Sequence, residues 1–441
     1  MEKEKSKKWR TCLSAAAITA AAVLLFFLYP KFDSARTWAT DVLYAGAEPE
    51  ITIETGHGPL ARPDAQAPDD LSVRLHPDRH IRRAAQAIEL EWNVTNDWRW
   101  PDGVAKEVYL INGEFPGPTI EVRSGDELSV TVHNQLEGEE IWIHWHGLRF
   151  ENQAEEVLGL TRCAIAANAS YTYRLQVSPE VHGTFWYYSQ AEMQRGDGLF
   201  GTLVVHEPRK DLDEDSRPPP DLNIQEDQLL LINDWYHQPS SDVLAAYRDG
   251  EFFDAAPPPD SILLNGRGYF DCSKAYDEPS MDCKPMDMPH LTFPDRARLR
   301  IVNAGSLVGL TISTVGYSMT VLAVDGGTLV ERATFEKLGV LYPGQRMDIL
   351  FERRGDDQYD SAWITIALDR ETMQYPNLVL TDTQQFHIAT SRVTNKDALE
   401  RGGPEIDSGK TNNPFLDLSN VKAMVASTSE LGKKADNLVA L

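Results

Sequence analysis

The chain has 441 residues, enough for two or three domains with buried cores. At 42% hydrophobic and 25% charged its composition is globular, which excludes a chain disordered throughout. A formal net charge of −25 argues against a broad nucleic-acid interface, which needs basic surface, and otherwise reports a solvated exterior.

In chain order, "MEKEKSKKWR" (residues 1–10) carries five basic residues against two acidic ones and is predicted to be a cytoplasmic tail. The uncharged run "TCLSAAAITAAAVLLFFLYP" (residues 11–30) is long enough to cross a bilayer, so an N-terminal transmembrane signal-anchor helix is expected, with the body in the secretory lumen or outside the cell. A cleaved signal peptide, giving a secreted form, is the alternative. Residues 31–84 show little periodicity and read as a stalk. Two sequons, at Asn93 and Asn168, agree with passage through the secretory pathway. Beyond Cys12 there are three cysteines, Cys163, Cys272 and Cys283, so one disulfide and one leftover thiol are expected, and spacing does not choose the pair.

From residue 85 to 208, β-branched and aromatic runs such as "AIELEWNVT", "TIEVRSGDELSVTVHNQL" and "GTFWYYSQ" alternate with Gly, Pro, Asn and Asp, the pattern of an all-β sandwich. "RKDLDEDSRPPPD" marks a linker over 209–224, and a second β-rich block fills 225–395. Residues 396–441 read as a further linker and the start of a third domain that is then missing.

The sharpest chemical signal is "IHWHG". On a strand, alternation puts His144 and His146 on one face, a pair suited to copper, zinc or iron, although two ligands do not make a site. The bland reading is a pair of partly exposed strand histidines. His133, His182, His206, His237 and His290 are scattered and read as surface or loop residues, and none of the cysteines has flanking histidines.

"YLINGEFPGPTIEVRSGD", "HWHGL", "TRCAI", "GTFWY-S" and "Q--DGL-G" together resemble the first cupredoxin domain of multicopper oxidases of the laccase and ascorbate-oxidase kind, fungal in type. "INDWYH", "LLNGRGYFDC", "LRIVNAG", "VDGG" and "YPGQRMDI" resemble the second domain, in the same order. The resemblance covers roughly 85–395 and implies two consecutive Greek-key cupredoxin β-sandwiches. It also implies four coppers: a blue copper in a third domain that takes electrons from a small, phenolic substrate, and a three-copper cluster that reduces dioxygen. By this resemblance His144 and His146 are cluster ligands. Tyr188 and Gln190 stand where the family has its second histidine pair, and an amide or a phenol is a poorer copper ligand than imidazole. The family's Asp-Gly pair after the first motif is also absent, Glu155 and Glu156 being the nearby acids, and the third-domain histidine motifs do not occur. The expectation is therefore an oxidase homologue with an incomplete copper site and no intact catalytic residues. Three readings follow: an oxidase completed by another domain or chain, a membrane-anchored non-catalytic partner or scaffold of a complete oxidase, or a decayed product.

Overall fold

The computed structural model describes residues 70–148, 164–208, 222–249, 257–277, 282–355, 362–373, 377, 380–389 and 415–417. All of these fall within one compact unit, residues 61–156 with 164–441. No helix among the described residues is long and apolar enough to cross a membrane, and the predicted anchor, residues 11–30, lies outside the described residues.

A short strand, β1 (Val73–Leu75), precedes the first sandwich. The strands that follow are β2 (Ala87–Arg99), β3 (Lys106–Ile111), β4 (Ile120–Arg123), β5 (Glu127–Asn134), β6 (Ile143–His146), β7 (Ser170–Gln176), β8 (Gly183–Ser189) and β9 (Phe200–His206). They form two four-stranded sheets in the orders β3-β2-β5-β7 and β4-β9-β8-β6. The β2–β5 and β4–β9 pairs are parallel and the others antiparallel, the mixed pairing of a Greek key. Alternation builds the layers: Leu128, Val130 and Val132 of β5 point inward with Trp92 and Val94 of β2. Between the sheets Trp92, Trp145 and Tyr187 meet at ring separations of 4.6 to 5.8 Å. After β3, Asn112 (φ 54°) and Gly113 (φ 80°) both take the left-handed conformation, which an Asn-Gly pair tolerates, and turn the chain tightly between Ile111 and Glu114.

The second sandwich starts with β10 (Glu226–Trp235), which pairs in parallel with Arg296–Asn303; that strand in turn lies antiparallel to Arg346–Arg353. Its core includes Tyr317 stacked on Phe351 at 4.3 Å, with Phe293 edge-on to the same ring. The two sandwiches meet through a small apolar cluster, Trp186, Tyr188 and Phe200 against Leu229, Leu231, Val302 and Ala304. Beside it lies a buried polar network in which Thr184 of β8 donates to Asp348 (2.6 Å) and accepts from Arg300 (3.2 Å).

Two boundary expectations need correction. From Asp70 onward the predicted stalk belongs to the fold: β1 pairs antiparallel with β10, and Leu71 lies in the second core. Within the predicted C-terminal linker, residues 415–417 form a strand parallel to Lys337–Leu341, with Leu416 buried. Both strands have three residues, too short to show a period, and only tertiary pairing makes them strands.

Candidate metal centre

His144 and His146 lie on one face of β6, both half-buried, with the intervening Trp145 fully buried in the opposite direction. Their rings meet edge-on, centroids 5.6 Å apart. Strand β8 runs antiparallel alongside and places Tyr188 opposite His144 and Trp186 opposite His146. The Tyr188 ring is 5.2 Å from the His144 ring, and its hydroxyl lies 3.5 Å from His146 Nδ1. Gln190, just past the end of β8, is exposed; its backbone N–H donates to the carbonyl of Trp142.

Two cations border the pair. The Arg195 guanidinium sits over the Tyr188 ring at 4.9 Å. Arg346 is buried beside Gly147, held by the carbonyl of Gly344 (2.9 Å) and by Asp325 (3.3 Å). Burial first, then the charges of Arg346, His144 and Arg195, push His146 down to about 3. It is therefore a neutral imidazole at neutral pH, the form that binds a metal.

Does this donor set fit the copper that the resemblance implies? The two imidazoles do, as neutral nitrogen donors on one face. The rest does not: the next side chains are a phenol and an indole, and two guanidiniums stand nearby. Among the described residues no cluster of three or more His, Cys, Asp or Glu donors contains His144 or His146. The pair alone does not make up a copper centre.

Cys272 and Cys283 are joined in a disulfide spanning 11 positions; Cys163, Glu155 and Glu156 lie outside the described residues. Asn93, in β2, and Asn168, before β7, are both exposed. The reading of the scattered histidines as surface or loop residues fails at His206, a buried strand residue, and His237, though in a loop after β10, is buried as well. His237 is buried with its Nε2 2.9 Å from Asp102, and His206 is buried with its Nε2 2.8 Å from Glu121. Each is held by a carboxylate more than eighty residues away in sequence, so no local pattern reveals it. His206 also belongs to a donor cluster with His80 and Glu121, two residues that motif reading passes over because they have no spacing in common.

Two sequence models described as multicopper oxidase match residues 93–210 and 226–379, together more than half of the chain. Laccase-1 of Cryptococcus neoformans var. grubii is 34% identical over 326 residues, which are 71% of this chain and 50% of that one. Dihydrogeodin oxidase of Aspergillus terreus is 34% identical over 294 residues, 65% of this chain and 45% of that one. Among solved structures, the laccase of Botrytis aclada superposes with a TM-score of 0.58 at 29% identity, over 70% of this chain and 53% of that one. The chain thus spans about half the length of the relatives it matches. The fold, the ordered motifs and these matches agree: the chain belongs to the multicopper oxidase family, with the all-β cupredoxin architecture and the copper association that the family implies.

Proposed function

We propose that this chain is a laccase-like multicopper oxidase homologue that, as written, does not reduce dioxygen by itself. Its ancestral reaction is oxidation of a small phenolic substrate coupled to dioxygen reduction. The observation that carries the reading is the facing of His144 by Tyr188 across the β6–β8 ladder, where a second imidazole would complete a donor pair. A phenol there and an amide at Gln190 leave copper with two nitrogen donors, and a shell finished by water binds more weakly than a complete one. In this reading the family's copper site is reduced to His144 and His146, and the blue-copper domain that passes electrons from the substrate is not within residues 85–395.

The two imidazoles remain half-exposed, which favours a second reading in which another chain, such as a complete oxidase, supplies the missing ligands. The Cys272–Cys283 disulfide supports an oxidising compartment for the body, the lumen or cell exterior, with residues 11–30 as its membrane anchor and glycans at Asn93 and Asn168. The test is dioxygen uptake by the purified chain, loaded with copper and supplied with a simple phenol. No uptake above that of free copper is expected. Sustained turnover abolished by His144→Ala would overturn the reading.

A further inference from the structure

A second donor cluster lies on the same face of the β4-β9-β8-β6 sheet as the His144 pair but at its opposite edge, on β4 and β9, and shares no residue with that pair. Glu121 of β4 and His206 of β9 share one face of a parallel ladder: Glu121 pairs with Val204, and His206 follows two positions on. Across that face runs the short helix Pro77–Ile81, which brings His80 onto the His206 ring, stacked at 5.0 Å. One ligand atom from each of His80, Glu121 and His206 lies within 4.8 Å of the others. The His206 side chain is 2% exposed and that of Glu121 15%, so the cluster sits under the surface rather than on it.

The carboxylate is already oriented. His76, just before the helix, donates its backbone N–H to Glu121 Oε2 (2.7 Å), and its Nδ1 lies 3.1 Å from Oε1. Burial alone would raise the Glu121 carboxyl, but hydrogen bonds from His206 and His76 outweigh it and pull it down to about 2. Arg83 opposes the arrangement, with Nη2 3.2 Å from His80 Nδ1, but Asp126 holds that guanidinium by both of its oxygens.

We propose that His80, Glu121 and His206 bind one divalent transition ion, of the zinc or cobalt class, as a structural clamp. Two imidazoles and one carboxylate are a borderline-soft donor set that takes such an ion in tetrahedral geometry with water as fourth ligand. The clamp has a structural task. The Pro77–Ile81 helix has five residues and none of them is buried, so neither its length nor an apolar face holds it in place. Yet it lies in the connection between β1, which pairs into the second sandwich, and β2, which belongs to the first. An ion shared by His80 on one side and Glu121 with His206 on the other ties that connection to the first sandwich. His76 acts as a positioning residue through its hydrogen bonds to Glu121.

The test uses the full chain without a histidine tag, carrying His144→Ala and His146→Ala to silence the other imidazoles. Cobalt(II) is titrated and followed by its visible absorption, and zinc by calorimetry and by the rise in melting temperature. One equivalent of each ion is expected, with tetrahedral cobalt bands and a zinc-dependent rise in melting temperature. His80→Gln and Glu121→Gln should each abolish the bands and the rise, and His76→Gln, which removes the Nδ1 contact but keeps the backbone bond to Glu121, should weaken binding by no more than roughly 10-fold. His80 is only half-buried, so its variant keeps the fold and circular dichroism checks it. Binding that is absent, or that survives unchanged in both His80→Gln and Glu121→Gln, would overturn the proposal.

Discussion

Asp348 is the centre of the buried network between the sandwiches, and replacing it with asparagine isolates what its charge contributes. The carboxylate lies opposite Arg300 across the antiparallel ladder of Arg296–Asn303 with Arg346–Arg353. It accepts from Thr184 Oγ1 at 2.6 Å and from Arg300 Nη1 at 3.3 Å, and it is paired with Arg298. Asp348 and Arg300 are each 3% exposed in their side chains, so solvent screens this pair little. Asparagine keeps the volume and one acceptor but leaves two guanidiniums to share Asp227, which already binds Arg300 at 2.9 and 3.0 Å. Removing one partner of such a buried set costs about 3–5 kcal/mol, because the other charge stays desolvated. Asp348→Asn should therefore lower unfolding stability at neutral pH by about 3 kcal/mol or more, read from urea denaturation.

The same group predicts a pH dependence. Burial would raise the Asp348 carboxyl, but Arg298 and Arg300 outweigh it and hold it below the ordinary carboxylate range. A carboxyl lowered on folding contributes stability that is fully present above its unfolded value, about 3.9, and is lost as pH falls through the folded one. The gap between parent and variant should accordingly be full at neutral pH and narrow on acidification below about 4. A loss under about 1 kcal/mol at neutral pH, or a gap that widens in acid, would refute the reasoning.

Three further outcomes follow from other parts of the molecule. Lys106, with its ammonium bonded to the Tyr236 carbonyl (2.7 Å) and Asp197 (2.7 Å), is buried, so Lys106→Met should destabilise the fold by about 3 kcal/mol in the same denaturation assay. The Cys272–Cys283 bond closes a loop of 11 positions, and the double serine variant should lose about 2–3 kcal/mol, with the parent matching it once reduced. Trp145 is fully buried against Trp92, Tyr173 and Tyr187, so Trp145→Ala should cost about 3–5 kcal/mol and remove a tertiary near-ultraviolet dichroism signal.

Much of the first sandwich is legible in the sequence because its long strands alternate. Leu128, Val130 and Val132 recur at every second position, and the His-Trp-His triplet places its imidazoles on one face and its indole in the core. The facing of Tyr188 and His144 is a matter of register, which the sequence suggests only through the resemblance. Other features were illegible for physical reasons. Val73–Leu75 becomes a strand because β10, more than 150 positions later, offers it a ladder. His206 looks like the end of an ordinary apolar run, and its burial is decided by Glu121 on the neighbouring strand. His146 is depressed first by burial and then by the Arg346 guanidinium, which comes from the other sandwich, and a motif read in isolation contains no trace of either.

The most direct test of the account is the copper content per chain, measured by elemental analysis after copper loading and dialysis, on a sample whose polypeptide mass has been checked. The measurement uses the His80→Gln background, so that the proposed clamp does not contribute. At most one copper is expected, lost in His144→Ala. Three or more coppers that disappear with His144→Ala would contradict the proposed function, because they would require a complete cluster around the histidine pair despite Tyr188 and Gln190.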